Sequence, residues 1–163
     1  MVFKRSSEKR HAPFSFDRIL VPVIGDDSVD LPALKLTAML LAGRKGSEAS
    51  ILHVIEVPFE RNLDEQDDAA VARADEILRR AEQRLEEHEI VVRQRTVQAR
   101  AAGPAIVDDA YESGADAIVM GLRYKKRFGG QWDAGRTVPY VMRNTTAPVW
   151  CLRAETEELA HAP

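Results

Sequence analysis

Cysteine is all but missing from this chain. Cys151 is the only one, so no disulfide can close within it, in keeping with a reducing compartment. Long apolar runs are missing too. No stretch approaches the roughly 20 apolar residues that a membrane-spanning helix needs. The segment Ala12-Pro13-Phe14-Ser15-Phe16, closed by Asp17, is too short for the apolar core of a secretion signal. Together these absences predict a cytoplasmic protein. Positive charge is not in excess: 23 Lys and Arg stand against 26 Asp and Glu, a net charge of −3. That argues against a nucleic-acid binder, whose footprint is a basic domain. No His, Cys, Asp and Glu fall at metal-ligand spacing, so no metal is predicted. Ser28 and Cys151 have no histidine base placed near them in sequence, and no nucleophilic triad stands out. The chain is therefore read as a non-enzyme.

What is there is an ordinary globular composition. The 163 residues are 45% hydrophobic and 30% charged, enough for one domain with a sizeable core. The start is basic (Lys4, Arg5, Lys9, Arg10, His11) and is read as a flexible solvated tail over residues 1–15. The domain proper is assigned to residues 16–153, and a polar tail to residues 154–163.

Along that domain, short apolar runs alternate with helical periodicity. Arg18-Ile19-Leu20-Val21-Pro22-Val23 suits a strand buried on both faces. Pro22 lacks a ladder donor and belongs near its end. Asp30 is read as the N-cap of a helix carrying Leu31, Leu34, Ala38 and Leu41, closed by Gly43 and Gly46. Ile51 to Ile55 is a second strand. Val71, Ala74, Leu78, Ala81 and Leu85 form one helical stripe. Ile90 to Val97 alternates partly, as a strand nearer the sheet edge does. A helix starting at Gly103-Pro104, with Ile106, Val107, Ala110 and Tyr111 as its inner face, closes at Gly114. Ala117 to Met120 is the fourth strand. A loop runs from Leu122 to Ala134, followed by a short helix from Thr137 to Asn144 and a last strand, Val149-Trp150-Cys151-Leu152. The order β-α-β-α-β-α-β-α-β predicts an α/β fold: a doubly wound, five-stranded, mainly parallel sheet. Ligands of such sheets bind beyond the carboxyl ends of the strands.

One stretch there carries chemistry. A strand ends at Gly121, a basic loop follows (Arg123, Lys125, Lys126, Arg127), and Gly135-Arg136-Thr137 opens a helix. Glycine permits close backbone approach, and the free N–H groups of a helix start favour an anion. Tyr124, Phe128 and Trp132 in the same loop suggest that it covers a ligand, a partner or a cleft. His53, within an apolar strand, is read as a packed residue at the cleft edge.

The order of Ile19-Leu20-Val21-Pro22-Val23, Leu52-His53-Val54, Gly114-Ala115-Asp116, Ile118-Val119-Met120-Gly121, Val141-Met142-Arg143 and Ala147-Pro148-Val149 resembles the universal stress protein family. The resemblance covers about Phe16 to Arg153. It implies the adenine nucleotide alpha hydrolase-like fold and a cleft for ATP, ADP or AMP. Adenine would lie near Val54 and Met120. Phosphates would approach Gly121, Arg123, Gly135, Arg136 and Thr137, and Val23, Ile24, Tyr124 and Val138 complete the candidate nucleotide-binding set. ATP-binding members carry an aspartate after the first strand and a loop of the form G-x-x-G-x9-G-[ST]. Here the aspartate position is Ile24, the second glycine is Tyr124, the hydroxyl position is Arg136, and the loop is one residue longer. The resemblance further implies a homodimer through Val149, Trp150, Cys151 and Leu152. The phrase Gln98 to Val107 is similar to the transporter-associated branch of the family. The alternative reading is thus a dimeric module without nucleotide that regulates a transporter or another partner.

Overall fold

The computed structural model describes residues 16–65, 67–125 and 131–154, with backbone alone at residues 124, 125 and 131. The basic segment 1–15, Lys126, Arg127, Phe128 and the C-terminal tail beyond Ala154 lie outside the described residues, as do the side chains of Tyr124 and Lys125.

The chain forms β1 (Arg18–Pro22), α1 (Asp27–Leu41), β2 (Glu48–Glu56), α2 (Asp68–Glu86), β3 (Val91–Ala99), α3 (Ala102–Ser113) and β4 (Ala117–Gly121). Then come β5 (Arg123–Lys125), β6 (Gln131–Asp133), α4 (Thr137–Asn144) and β7 (Val149–Leu152). Five strands make one sheet in the order β3-β2-β1-β4-β7, and every pairing in it is parallel. The predicted doubly wound fold is the observed one.

The central strands explain why. Successive side chains point to opposite faces, so a strand covered on both sides must be apolar throughout. Ile19 and Val21 of β1 enter one core with Leu34, Leu41, Leu78 and Leu85 from α1 and α2. Leu20, between them, enters the other with Ile106, Ala110, Val138 and Val141 from α3 and α4. Full burial of each such aliphatic side chain stabilises by about 2 kcal/mol. β3, at the edge, is half-exposed along most of its length.

Three local readings change. The N-cap of α1 is Asp26, whose side chain accepts from the Ser28 amide at 3.0 Å; Asp30 is instead buried one turn into the helix. Tyr111 does not belong to the inner face of α3 but is 87% exposed. It lies about 100° around the helix from Ala110, which faces the sheet. The segment from Leu122 to Ala134 is not all loop, because β5 and β6 pair antiparallel, Arg123 opposite Asp133. Two sequence-read ends hold: Gly114 closes α3 in the left-handed conformation at φ 63°, and α4 has the predicted bounds.

Candidate functional site

Strand order reverses between β1 and β4, and the chain leaves these neighbours in different directions. This opens a crevice at their carboxyl ends. The crevice holds a cavity of about 480 Å3. Its floor comes from Val23 and Ile24 after β1, Leu52 to Val54 of β2, and Met120 and Gly121 of β4. Its far wall comes from Arg123, Asp133, Ala134, Gly135, Thr137 and Val138. Ala102 and Ile106 of α3 close the third side.

Nine of the eleven sequence-predicted residues therefore line one cavity: Val23, Ile24, Val54, Met120, Gly121, Arg123, Gly135, Thr137 and Val138. Arg136 is exposed and lies outside the lining. The Tyr124 side chain is not among the described ones. Trp132 is half-buried in β6 beneath the Arg153 guanidinium, 5.7 Å from its ring centre, and lines no part of the cavity.

Gly121 has a reason beyond ligand approach. A Cβ there would lie 1.8 Å from the Val29 carbonyl oxygen of α1, so no larger residue fits without moving that helix. Gly135 sits at φ 58° with open space around it. Its requirement is the left-handed turn into α4. His53 Nδ1–H donates to the Val23 carbonyl at 2.9 Å, fixing the imidazole across β1 and β2.

Sequence reasoning missed Glu56 and Asp133, the two carboxylates of the cavity wall. Glu56 Oε1 accepts from the Ala102 amide at 2.8 Å, at the start of α3. Asp133 Oδ1 accepts from the Gly135 amide at 2.9 Å, at the start of the turn into α4. A third carboxylate lies just behind the floor. Asp30 accepts from the Ile24 amide at 3.0 Å and from the Gly25 amide at 2.7 Å. Burial pushes its pKa up to about 6, against those same hydrogen bonds, which pull it down. The Asp133-x-Gly135 spacing is a local turn signature, the one signal that sequence offered. The Glu56 contact spans 46 residues and leaves no local trace.

A second cavity of about 520 Å3 lies between α1 and α2. Half of its lining is charged (Asp27, Asp30, Arg80, Arg84, Glu86, Glu87), the rest including Leu31, Leu34, Ile77 and Ala81, and Arg80 and Asp27 pair at 2.5 Å. It lies between two helices on one face of the sheet, away from the crevice between β1 and β4 where ligands bind in this architecture. Among the described residues no group of three or more His, Cys, Asp or Glu is placed to hold a metal ion. No described helix is long and apolar enough to cross a membrane.

Comparison with known proteins agrees with the fold. The model of the universal stress protein family matches residues 15–153. No curated protein matches the sequence. Among solved structures, the hypothetical protein MJ0577 superposes with a TM-score of 0.73 at 22% identity, covering 88% of this chain and 99% of that one. A universal stress protein from Archaeoglobus fulgidus in complex with dAMP gives 0.65 at 22% identity, covering 86% and 100%. A family protein from Arabidopsis thaliana with AMP bound gives 0.65 at 13% identity, covering 86% and 94%.

Proposed function

Since this chain belongs to the universal stress protein family, we propose that it is a non-enzymatic stress-response or regulatory domain. It binds an adenine nucleotide or a related phosphate-bearing ligand in the cleft at the carboxyl ends of its strands. The observation that carries this reading is the shared cavity. An apolar floor at Val23, Val54 and Met120 offers a flat ring a dry surface. Thr137 and Val138, at the start of α4, stand at its far wall. Among the described residues no side chain caps that helix start, which leaves its first amides and dipole to favour a phosphate. Relatives of this fold hold dAMP and AMP. Titration calorimetry of the purified chain against adenosine, AMP, ADP, ATP and cyclic AMP tests it. Binding of at least one ligand, weakened by Val54→Trp in the floor, is expected. No heat with any of them, and no nucleotide released on denaturation, would sink the reading.

A second reading rests on Ile24 and on β7. Ile24 places an apolar, 43% exposed side chain where ATP-binding members carry an aspartate. β7 is a sheet edge, and its Trp150 is 38% exposed, edge-on to Phe16. An open edge is a template for pairing with a second strand. In this reading the chain is a homodimeric module, paired through Val149 to Leu152, that acts on a partner such as a transporter. Light scattering after size exclusion decides its first step. A dimer disrupted by Trp150→Glu supports it, and a monomer at all concentrations removes it.

A further inference from the structure

The amides that ring the cleft are largely occupied by the protein's own carboxylates. The Gly135 amide is held by Asp133 at 2.9 Å and the Ala102 amide by Glu56 at 2.8 Å. The Ile24 amide is held by Asp30 at 3.0 Å. Helix starts and glycine turns are where backbone donors converge on an anion, so these amides are ones a polyphosphate chain would compete for. Two of the three carboxylates, Glu56 and Asp133, also line the cavity, where Arg123 is the one Arg or Lys among the described residues of the lining. Among the described residues no side chain caps the start of α4.

We propose that Asp133 and Glu56 make this cleft prefer ligands bearing at most one phosphate group. Asp133 is the main determinant, because its carboxylate sits where a second phosphate would bond Gly135. One phosphate fits on the Thr137 and Val138 amides beside Arg123. A longer chain meets a carboxylate on either wall and must displace it from a hydrogen bond that it already makes. Both effects act in one direction. A further phosphate gains the Gly135 or the Ala102 amide only by displacing its carboxylate, and its extra charge faces Asp133 and Glu56 at the cavity wall.

This inference rests on the adenine-nucleotide reading, and its test separates the two. Calorimetry on the full chain compares adenosine, AMP, ADP and ATP at low and moderate salt. AMP is expected to bind about tenfold tighter than ATP, a difference of about 1.4 kcal/mol, and the gap should narrow as salt screens the carboxylates. Asp133→Ala frees the Gly135 amide and removes one charge, and should shrink the preference about tenfold. Asp133→Asn keeps an acceptor on that amide and should shrink it less. Glu56→Gln serves as an independent variant should the hairpin variants fail to fold. ATP binding to the unaltered chain as tightly as AMP overturns the inference while leaving the reading intact. So does a preference unchanged in folded Asp133→Ala and Glu56→Gln. If no adenine ligand binds the unaltered chain or any variant, the reading itself fails and the inference falls with it.

Discussion

The two ends of the central sheet carry cavities of nearly equal size, about 480 Å3 at the carboxyl end and about 500 Å3 at the amino end. Their linings differ in kind. The amino-end cavity is bounded by Arg18, Glu48, Ser50, Arg93, Arg95 and Ser113. Two of its arginines pair side chain to side chain, Arg93 with Glu48 at 2.5 Å and Arg95 with the buried Asp109 at 2.8 Å, while Arg18 donates to the Ser113 carbonyl. Burial pushes the Asp109 carboxyl above the usual range, opposed by Arg95. At the carboxyl end, carboxylates meet backbone amides instead. The difference follows from the winding. β1, β2 and β3 each run into a loop and then a helix start, and β4 reaches α4 through the β5–β6 hairpin, so free N–H groups gather at one end of the sheet and helix carboxyl termini at the other. Size alone does not make a site; the direction of the chain does.

Four measurements would break or sharpen that contrast. The largest effect is expected at Gly121. An alanine there drives a Cβ into the Val29 carbonyl, which should cost at least about 3 kcal/mol in urea denaturation. A loss below about 1 kcal/mol would mean that α1 is not seated as described.

Next is Asp30. Its folded pKa, about 6, lies above the ordinary 3.8, so the folded state holds the proton more tightly. The stabilisation is full below about pH 4 and is lost as pH rises through about 6, by no more than about 3 kcal/mol. Other carboxylates contribute opposite slopes, so the comparison is with Asp30→Asn. The stability difference between the two chains should change across that window and level off above about pH 7. A flat difference would show that the carboxyl is not perturbed.

Arg100 follows. Its guanidinium donates to the Val57, Pro58 and Arg61 carbonyls and stacks 5.4 Å from the Phe59 ring centre. Arg100→Ala should lose about 1–2 kcal/mol. It should also raise proteolysis within residues 58–65, the loop that leaves β2 beside the cleft. Unchanged cleavage would remove Arg100 as the clasp of that loop.

The smallest effect belongs to the amino end. Arg93→Ala breaks an ion pair whose arginine is largely exposed, and should leave stability in urea denaturation nearly unchanged. Ligand binding at the opposite end should not change. A change in nucleotide affinity would couple the two ends and undo the contrast.

Much of the fold was legible because burial on both faces forces a simple pattern. β1 and β4 read as unbroken apolar runs since each faces two cores. Edges were harder. β3 continues to Ala99, two residues past the apolar signal, because it pairs with β2 up to Glu56, and pairing leaves no mark on hydropathy. The frame of the site was legible too, through Gly121 and the Gly135-Arg136-Thr137 turn. Arg136 read as a phosphate contact but stands outside the cavity, since the turn that places Thr137 inward leaves Arg136 exposed. Asp30 read as a cap because aspartate near a helix start commonly is one. Asp26 takes that role through Ser28, and Asp30 folds back onto the turn before it.

The sequence by itself determined the order of elements, the parallel sheet and the glycines that frame the cleft. Each of these depends on residue type at short range: periodicity, chain reversal, or a turn that only glycine enters easily. Only the tertiary structure decided what fills the space beside Gly121 and which carboxylates hold the amides around the cleft. Val29 reaches Gly121, and Glu56 reaches Ala102, across long stretches of chain. Such contacts depend on how helices seat on the sheet rather than on any local pattern. They set how many free donors the cleft can offer a phosphate.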